Sequence, residues 1–268
     1  MLKIGLIYCA YNCEKYLEES LKNWIFARKD KLDGNEFVIC AVSVPFEEYI
    51  SENIPADKTI DLLTEYYNRF EIDNLITEPK YVKEHIIRDK ALQYLLQQGC
   101  TDIVLFDGDE FITLEQLTDI INFVKLEPWI SWFSFSYKNF VFDKNTYLKD
   151  AFTPPRWFRV KTNGYELKQF YWDNDAIYYG VMNKNSQFIN KTISYKELPN
   201  KVISKFTVFL DHYTWLNDER SKQKVAYQLK HFGHCSFAWD ESKGGLIFDE
   251  NFYKQNNLDL PKLVKISN

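Results

Sequence analysis

The chain has 268 residues, 46% of them hydrophobic, which is enough to bury a sizeable core and excludes a disordered polymer. Lys and Arg number 33 against 38 Asp and Glu, a net charge of -5, so no global positive field exists to hold nucleic acid, which gains no support as a partner. Five scattered cysteines, Cys9, Cys13, Cys40, Cys100 and Cys235, show no paired metal spacing and read as reduced thiols of a cytoplasmic protein.

In chain order, residues 2–10 (LKIGLIYCA) read as a buried strand, too short for a secretory signal. No stretch reaches the roughly 18 apolar residues of a membrane span. Residues 13–28 follow as a helix, with Leu17, Leu21, Trp24 and Ile25 at helical spacing. A second buried strand, 36–44, gives way to PFEEYISENIP, an irregular loop or a lid. Asp57 then caps a helix whose Ile60, Leu63, Tyr67 and Phe70 share one face. A short strand at 74–77 and a helix over 88–99, ended by Gly99, lead into the strand DIVLF at 102–106. Thr113 and Gln116 form a capping box for a helix with Leu117, Ile120, Ile121 and Val124 as its stripe. Strands alternating with helices over the first 125 residues predict an α/β fold, a mostly parallel sheet covered on both faces.

From about residue 129 the pattern changes to aromatic strand-like pieces, WISWFSFSY, RWFRV, KQFYW and DAIYYGV, which predict a mixed or antiparallel half. FTVFLDHYTW (206–215) reads as one more strand and 218–233 as a basic amphipathic helix. The expected division is 1–128 and 129–268, two halves of one compact body.

The sequence IVLFDGDEF (103–111) ends a buried strand in Asp107, Asp109 and Glu110. Open parallel sheets take ligands beyond the carboxyl ends of their strands. Two aspartates about a glycine suggest a hard cation, Mg²⁺ or Mn²⁺, whose shell is completed by substrate phosphates. The bland reading is a solvated turn before a capped helix. Phe111 and Ile112 break an EF-hand loop, and no P-loop or dinucleotide fingerprint occurs. His231, His234 and Cys235 lack a second ligand pair for zinc.

Together these pieces resemble a glycosyltransferase of the GT-A fold, Rossmann-like and similar to the family 2 group. AYNCEKYLEESLKN resembles that family's first loop and helix, and RDKALQYLLQQGCTDIVLFDGDE resembles its Arg-led helix, strand and D-x-D run. The resemblance implies a nucleotide-sugar donor, most simply UDP-linked, and a hydroxyl acceptor on a glycan or related molecule. It places Tyr11, Asp57, Arg88, Asp89 and Asp107 near the nucleotide, and Asp107, Asp109 and His212 on the metal. Where the family carries paired aspartates after its second strand, this chain has AVSVPFEEYISENIP.

An inverting transfer needs an acid to deprotonate the acceptor, and Asp173, Asp175 and Glu166 are the candidates, beside Tyr171 and Trp172. Two other readings compete. One is a GT-A module that binds nucleotide without turnover; the other is a phosphatase of the haloacid dehalogenase type, which also ends a strand in two aspartates one residue apart.

Overall fold

The computed structural model describes residues 1–45, 57–78, 82–130, 132–149, 155–162, 165–173, 176–182 and 203–266. Most of the expected lid, Asp175, and the side chains of Asp173, Tyr171, Trp172 and His231 lie outside what is described. The chain divides into two compact units, residues 1–48, 56–136 and 153–210 in one, and 49–55, 137–152 and 211–268 in the other. The division falls at Ser136 and Leu210, inside two long strands.

The first unit opens with β1 (Lys3–Cys9), α1 (Glu14–Asp30), β2 (Glu36–Ser43), α2 (Thr59–Asn68), β3 (Asn74–Thr77), α3 (Glu84–Gln97) and β4 (Asp102–Asp107). It continues through β5 (Glu110–Phe111), α4 (Leu114–Leu126) and the start of β6 (Trp132–Phe142). The fold is a mixed α/β one. Its central strands run in the order β4-β1-β2-β3, all parallel, with Cys9 opposite both Val42 and Asp107. The continuous apolar runs explain this: β1 and β2 bury nearly every residue because helices cover both faces. On one face Leu105 joins Ile87, Ala91, Leu92 and Leu95 of α3 in the core. On the other, Phe106 meets Trp24 of α1 edge to face, with ring centroids 5.3 Å apart. A side chain on Gly5 would stand 2.9 Å from Leu95, so the glycine lets α3 approach the sheet.

The capping box at Thr113 and Gln116 is present in both directions, and the stripe on α4 is buried as expected. Helix α3 begins four residues earlier than its periodicity suggested, at Glu84, and the reason is electrostatic: Glu84 pairs with Arg88 one turn on. Beyond these, β7 (Thr146–Leu148) belongs to the second unit. The antiparallel β8 (Pro155–Arg159) joins β4 to the first residues of β6 in the first unit. Short β9 (Lys161–Thr162), β10 (Tyr165–Asp173) and β11 (Ala176–Met182) form a separate antiparallel sheet. The aromatic half thus does turn antiparallel.

The long β12 (Ile203–Leu216) runs into the second unit, followed by α5 (Glu219–Phe232), β13 (Phe237–Asp240), β14 (Gly245–Phe248), α6 (Glu250–Gln255) and β15 (Leu263–Lys265). Here β7 pairs with β6 at Phe140 and with β15 along its length. Helix α5 starts at Asp218, whose Oδ1 accepts the Ser221 amide, and ends at Gly233 in the left-handed region that a helix C-terminus favours. Its Val225 packs into a small core with Trp215, Cys235, Phe237 and Leu246. Trp215 stacks on Phe237 at 4.6 Å. All five cysteines are free and buried. Among the described residues no helix is long and apolar enough to cross a membrane.

Candidate functional site: an acidic turn held by two arginines

Strand β4 delivers Asp107 to the carboxyl edge of the parallel sheet, and the chain turns at once. The Gly108 amide donates to the Cys9 carbonyl at 2.8 Å, which folds the turn back onto the β1–α1 loop. A Cβ on Gly108 would sit 2.9 Å from Ala10 Cβ and 3.0 Å from Cys13 Sγ, so glycine is required by contact. Asp109 follows, only 4% exposed. The Ser20 hydroxyl donates to the Glu110 carbonyl at 2.8 Å and Asn23 donates to that of Ile112 at 2.7 Å, so α1 holds the returning strand.

Three acids so close are tolerated because cations stand among them. Arg88 of α3, 4% exposed, reaches Glu84 at 2.6 Å and Asp107 Oδ1 at 2.9 Å. Burial works against its charge, yet Glu84 and Asp107 more than offset this and hold the guanidinium protonated. From β8, Arg156 Nη2 donates to Asp107 Oδ2 at 2.7 Å and to Glu110 Oε1 at 2.6 Å. Glu110 is fully buried, and its Oε2 accepts the Asp107 amide at 3.1 Å. Burial pushes its carboxyl up to about 8, against the pull of Arg156. Neither Arg156 nor Glu84 was singled out by the sequence. The available signal was an arginine placed between the otherwise apolar neighbours of PRWF.

The remaining expected residues are placed as follows. Asp57 accepts the Glu14 amide on Oδ2 and the Thr59 amide on Oδ1, both at 2.8 Å, so it caps the first turns of α1 and α2. Tyr11 lies half-buried in the β1–α1 loop, its carbonyl accepting from the Cys13 thiol. Asp89 Oδ1 accepts the Phe170 amide at 2.9 Å, tying α3 to β10. Glu166 is salt-bridged to Lys168 at 2.6 Å and to Lys161 at 3.1 Å, and the Lys168 bond foremost holds its carboxyl below the usual range. Asp173 closes β10 opposite Ala176. His212 belongs to the second unit, where Nδ1 lies 2.7 Å from Asn139 Oδ1 and the ring tilts against Tyr137.

Among the described residues no three His, Cys, Asp or Glu side chains gather about one point. The carboxylates that the turn could offer a cation are Asp107 and Asp109. That fits a hard cation of the Mg²⁺ type, which takes one or two carboxylates and completes its shell with phosphate and water. Asp107 already gives both oxygens to guanidinium groups.

No family model and no curated protein matches the chain. Among solved structures it is similar to S. aureus TarS 1-349 in complex with UDP-GlcNAc, at 19% identity over 59% of this chain and 45% of that one, with a TM-score of 0.39. It is similar also to S. aureus TarS, at 15% identity over 85% of this chain and 38% of that one, with a TM-score of 0.43. A third likeness is to 4-diphosphocytidyl-2C-methyl-D-erythritol synthase from Anaerococcus prevotii, at 10% identity over 87% of this chain and 96% of that one, with a TM-score of 0.39. The chain spans less than half the length of either TarS structure. All three TM-scores lie below 0.5.

Proposed function

We propose that the chain is a glycosyltransferase that moves a sugar from a nucleotide-linked donor to a hydroxyl of a glycan or related acceptor. The observation that carries this reading is the Asp107-Gly108-Asp109 turn: it ends a strand in a parallel sheet and presses onto the first βα loop, at the edge where such sheets take ligands. Asp109, with Asp107 beside it, would hold Mg²⁺ or Mn²⁺, which when bound supplies Lewis-acid neutralisation of the leaving diphosphate. Arg88 holds Asp107 in place, and Gly108 keeps the turn close to the loop that bears Tyr11. UDP is the nucleotide to try first, since UDP-GlcNAc and UDP are the ligands of two of the TarS structures.

For an inverting transfer the acceptor proton goes to Asp173 or Asp175. Glu166 is the weakest of the three candidates, because a base works best with a pKa near the working pH and two lysines pull its carboxyl the other way. Calorimetric titration of UDP with Mn²⁺ and with EDTA tests the site. Mn²⁺-dependent binding is expected, weakened roughly a hundredfold or more in Asp109→Ala, since loss of a mere supporting residue already costs about 10–100-fold. No binding of UDP or GDP under either condition would sink the reading.

A further inference from the structure

We propose that Arg156 is a positioning residue of the donor site: it acts through Asp107 and Glu110 to set the direction in which Asp109 leaves the turn. This rests on the nucleotide-sugar reading of the same turn. The geometry closes a ring. Arg156 Nη2 bridges Asp107 Oδ2 and Glu110 Oε1, and Glu110 Oε2 accepts the Asp107 amide, so residues 107 and 110 are tied by both backbone and side chain. Between them lie Gly108, where even a Cβ would stand 2.9 Å from Ala10 Cβ, and Asp109. Four residues with both ends fixed and one wall in contact leave Asp109 little freedom.

The placement of Arg156 follows from the sheet. Antiparallel β8 puts Trp157 opposite Val104 and Phe158 opposite Ile103, both side chains fully buried, which carries the preceding residue toward the carboxyl end of β4. Its side chain is 12% exposed, and that of Glu110 is fully buried. A buried ion pair is seldom the most stabilising filling for such a space; apolar side chains of similar volume often do as well or better. Its place beside Asp107 suits a role in orientation better than one in stability.

The test is calorimetric titration of UDP with Mn²⁺ into the full chain, at a temperature where circular dichroism shows each protein folded. Wild type, Arg156→Met, Arg156→Met/Glu110→Gln and, as a control arginine on the surface, Arg69→Ala are compared. Arg156→Met is expected to weaken binding by roughly 10–100-fold, as loss of residues that orient metal ligands does. The double variant, which replaces the buried carboxyl that Arg156→Met leaves without its guanidinium partner, is expected to recover melting temperature but not affinity, and Arg69→Ala to match wild type. Unchanged affinity in Arg156→Met or the double variant, with wild type binding normally, overturns the positioning role alone. Affinity that returns together with the melting temperature in the double variant assigns Arg156 to stability and overturns it too. Absence of UDP and GDP binding in wild type overturns this inference and the donor reading together. If Arg156→Met does not fold, the double variant decides.

Discussion

Asp102 and Asp107 begin and end the same strand, and they are treated in opposite ways. Asp102, at the amino end, is 2% exposed and accepts only neutral donors among its described bonds, Trp157 Nε1 at 2.9 Å and the Thr101 hydroxyl at 2.8 Å. Burial raises its pKa, and those two bonds resist. Asp107, at the carboxyl end, keeps 26% of its side chain exposed and is clasped by two guanidinium groups. The first is a joint between β4 and β8; the second is a carboxyl held at an edge between cations. The lesson is that an acid in a sheet declares its use by the kind of donor around it and by the strand end it occupies.

The contrast can be broken hardest at the carboxyl end. Arg88→Met strands the buried carboxylate of Glu84 and releases Asp107, so unfolding in urea should show a loss of about 3–5 kcal/mol, the usual consequence of removing one partner from a buried ion pair. A loss below about 1 kcal/mol, the range of surface pairs, would mean that the arginine does not hold this end. At the amino end, Trp157→Phe leaves Asp102 Oδ1 without its indole donor, and about 1–3 kcal/mol should be lost in the same assay.

The smallest effect sharpens the comparison through pH. The pKa of Asp102 is raised in the folded chain above its ordinary 3.8, so the folded state binds this proton more tightly than the unfolded one. That contribution to stability is fully present below 3.8 and is lost as pH rises through the folded value. Melting temperatures taken in steps upward from pH 3.8 should therefore decline less in Asp102→Asn than in wild type. An identical decline would remove Asp102 from the account.

What the sequence showed plainly was local. Buried parallel strands appear as unbroken apolar runs, and helix ends announce themselves at Thr113, Asp218 and Gly233, so the alternation of elements could be followed. The short pieces β7, β13, β14, α6 and β15 span three to six residues each, too few for a period to emerge. The acidic turn was visible for the same local reason. Its partner Arg156 was not, because 49 and 46 residues separate it from Asp107 and Glu110. Asp57 was read as the cap of α2; it accepts the Thr59 amide from just before the N-cap position at Lys58, and its bond to α1, 43 residues away, lay beyond any local rule. The division between units was hidden because β6 and β12 each run through it as one strand.

That distant cap bears on the order in which the protein assembles. Helix α1 has no side-chain cap of its own at Cys13; its first amides are taken by Thr59 Oγ1, from Cys13 at 2.8 Å, and by Asp57 Oδ2, from Glu14 at 2.8 Å. The start of α1 is therefore expected to stay frayed during folding until residues 57 and 59 are in place, which pulsed hydrogen exchange at the Cys13 and Glu14 amides would check. Closing so long a loop adds little entropy beyond a shorter one, but it must precede the reward. The first strand–helix unit is thus finished by the second, and the loop that meets Gly108 takes its shape only when both are in place.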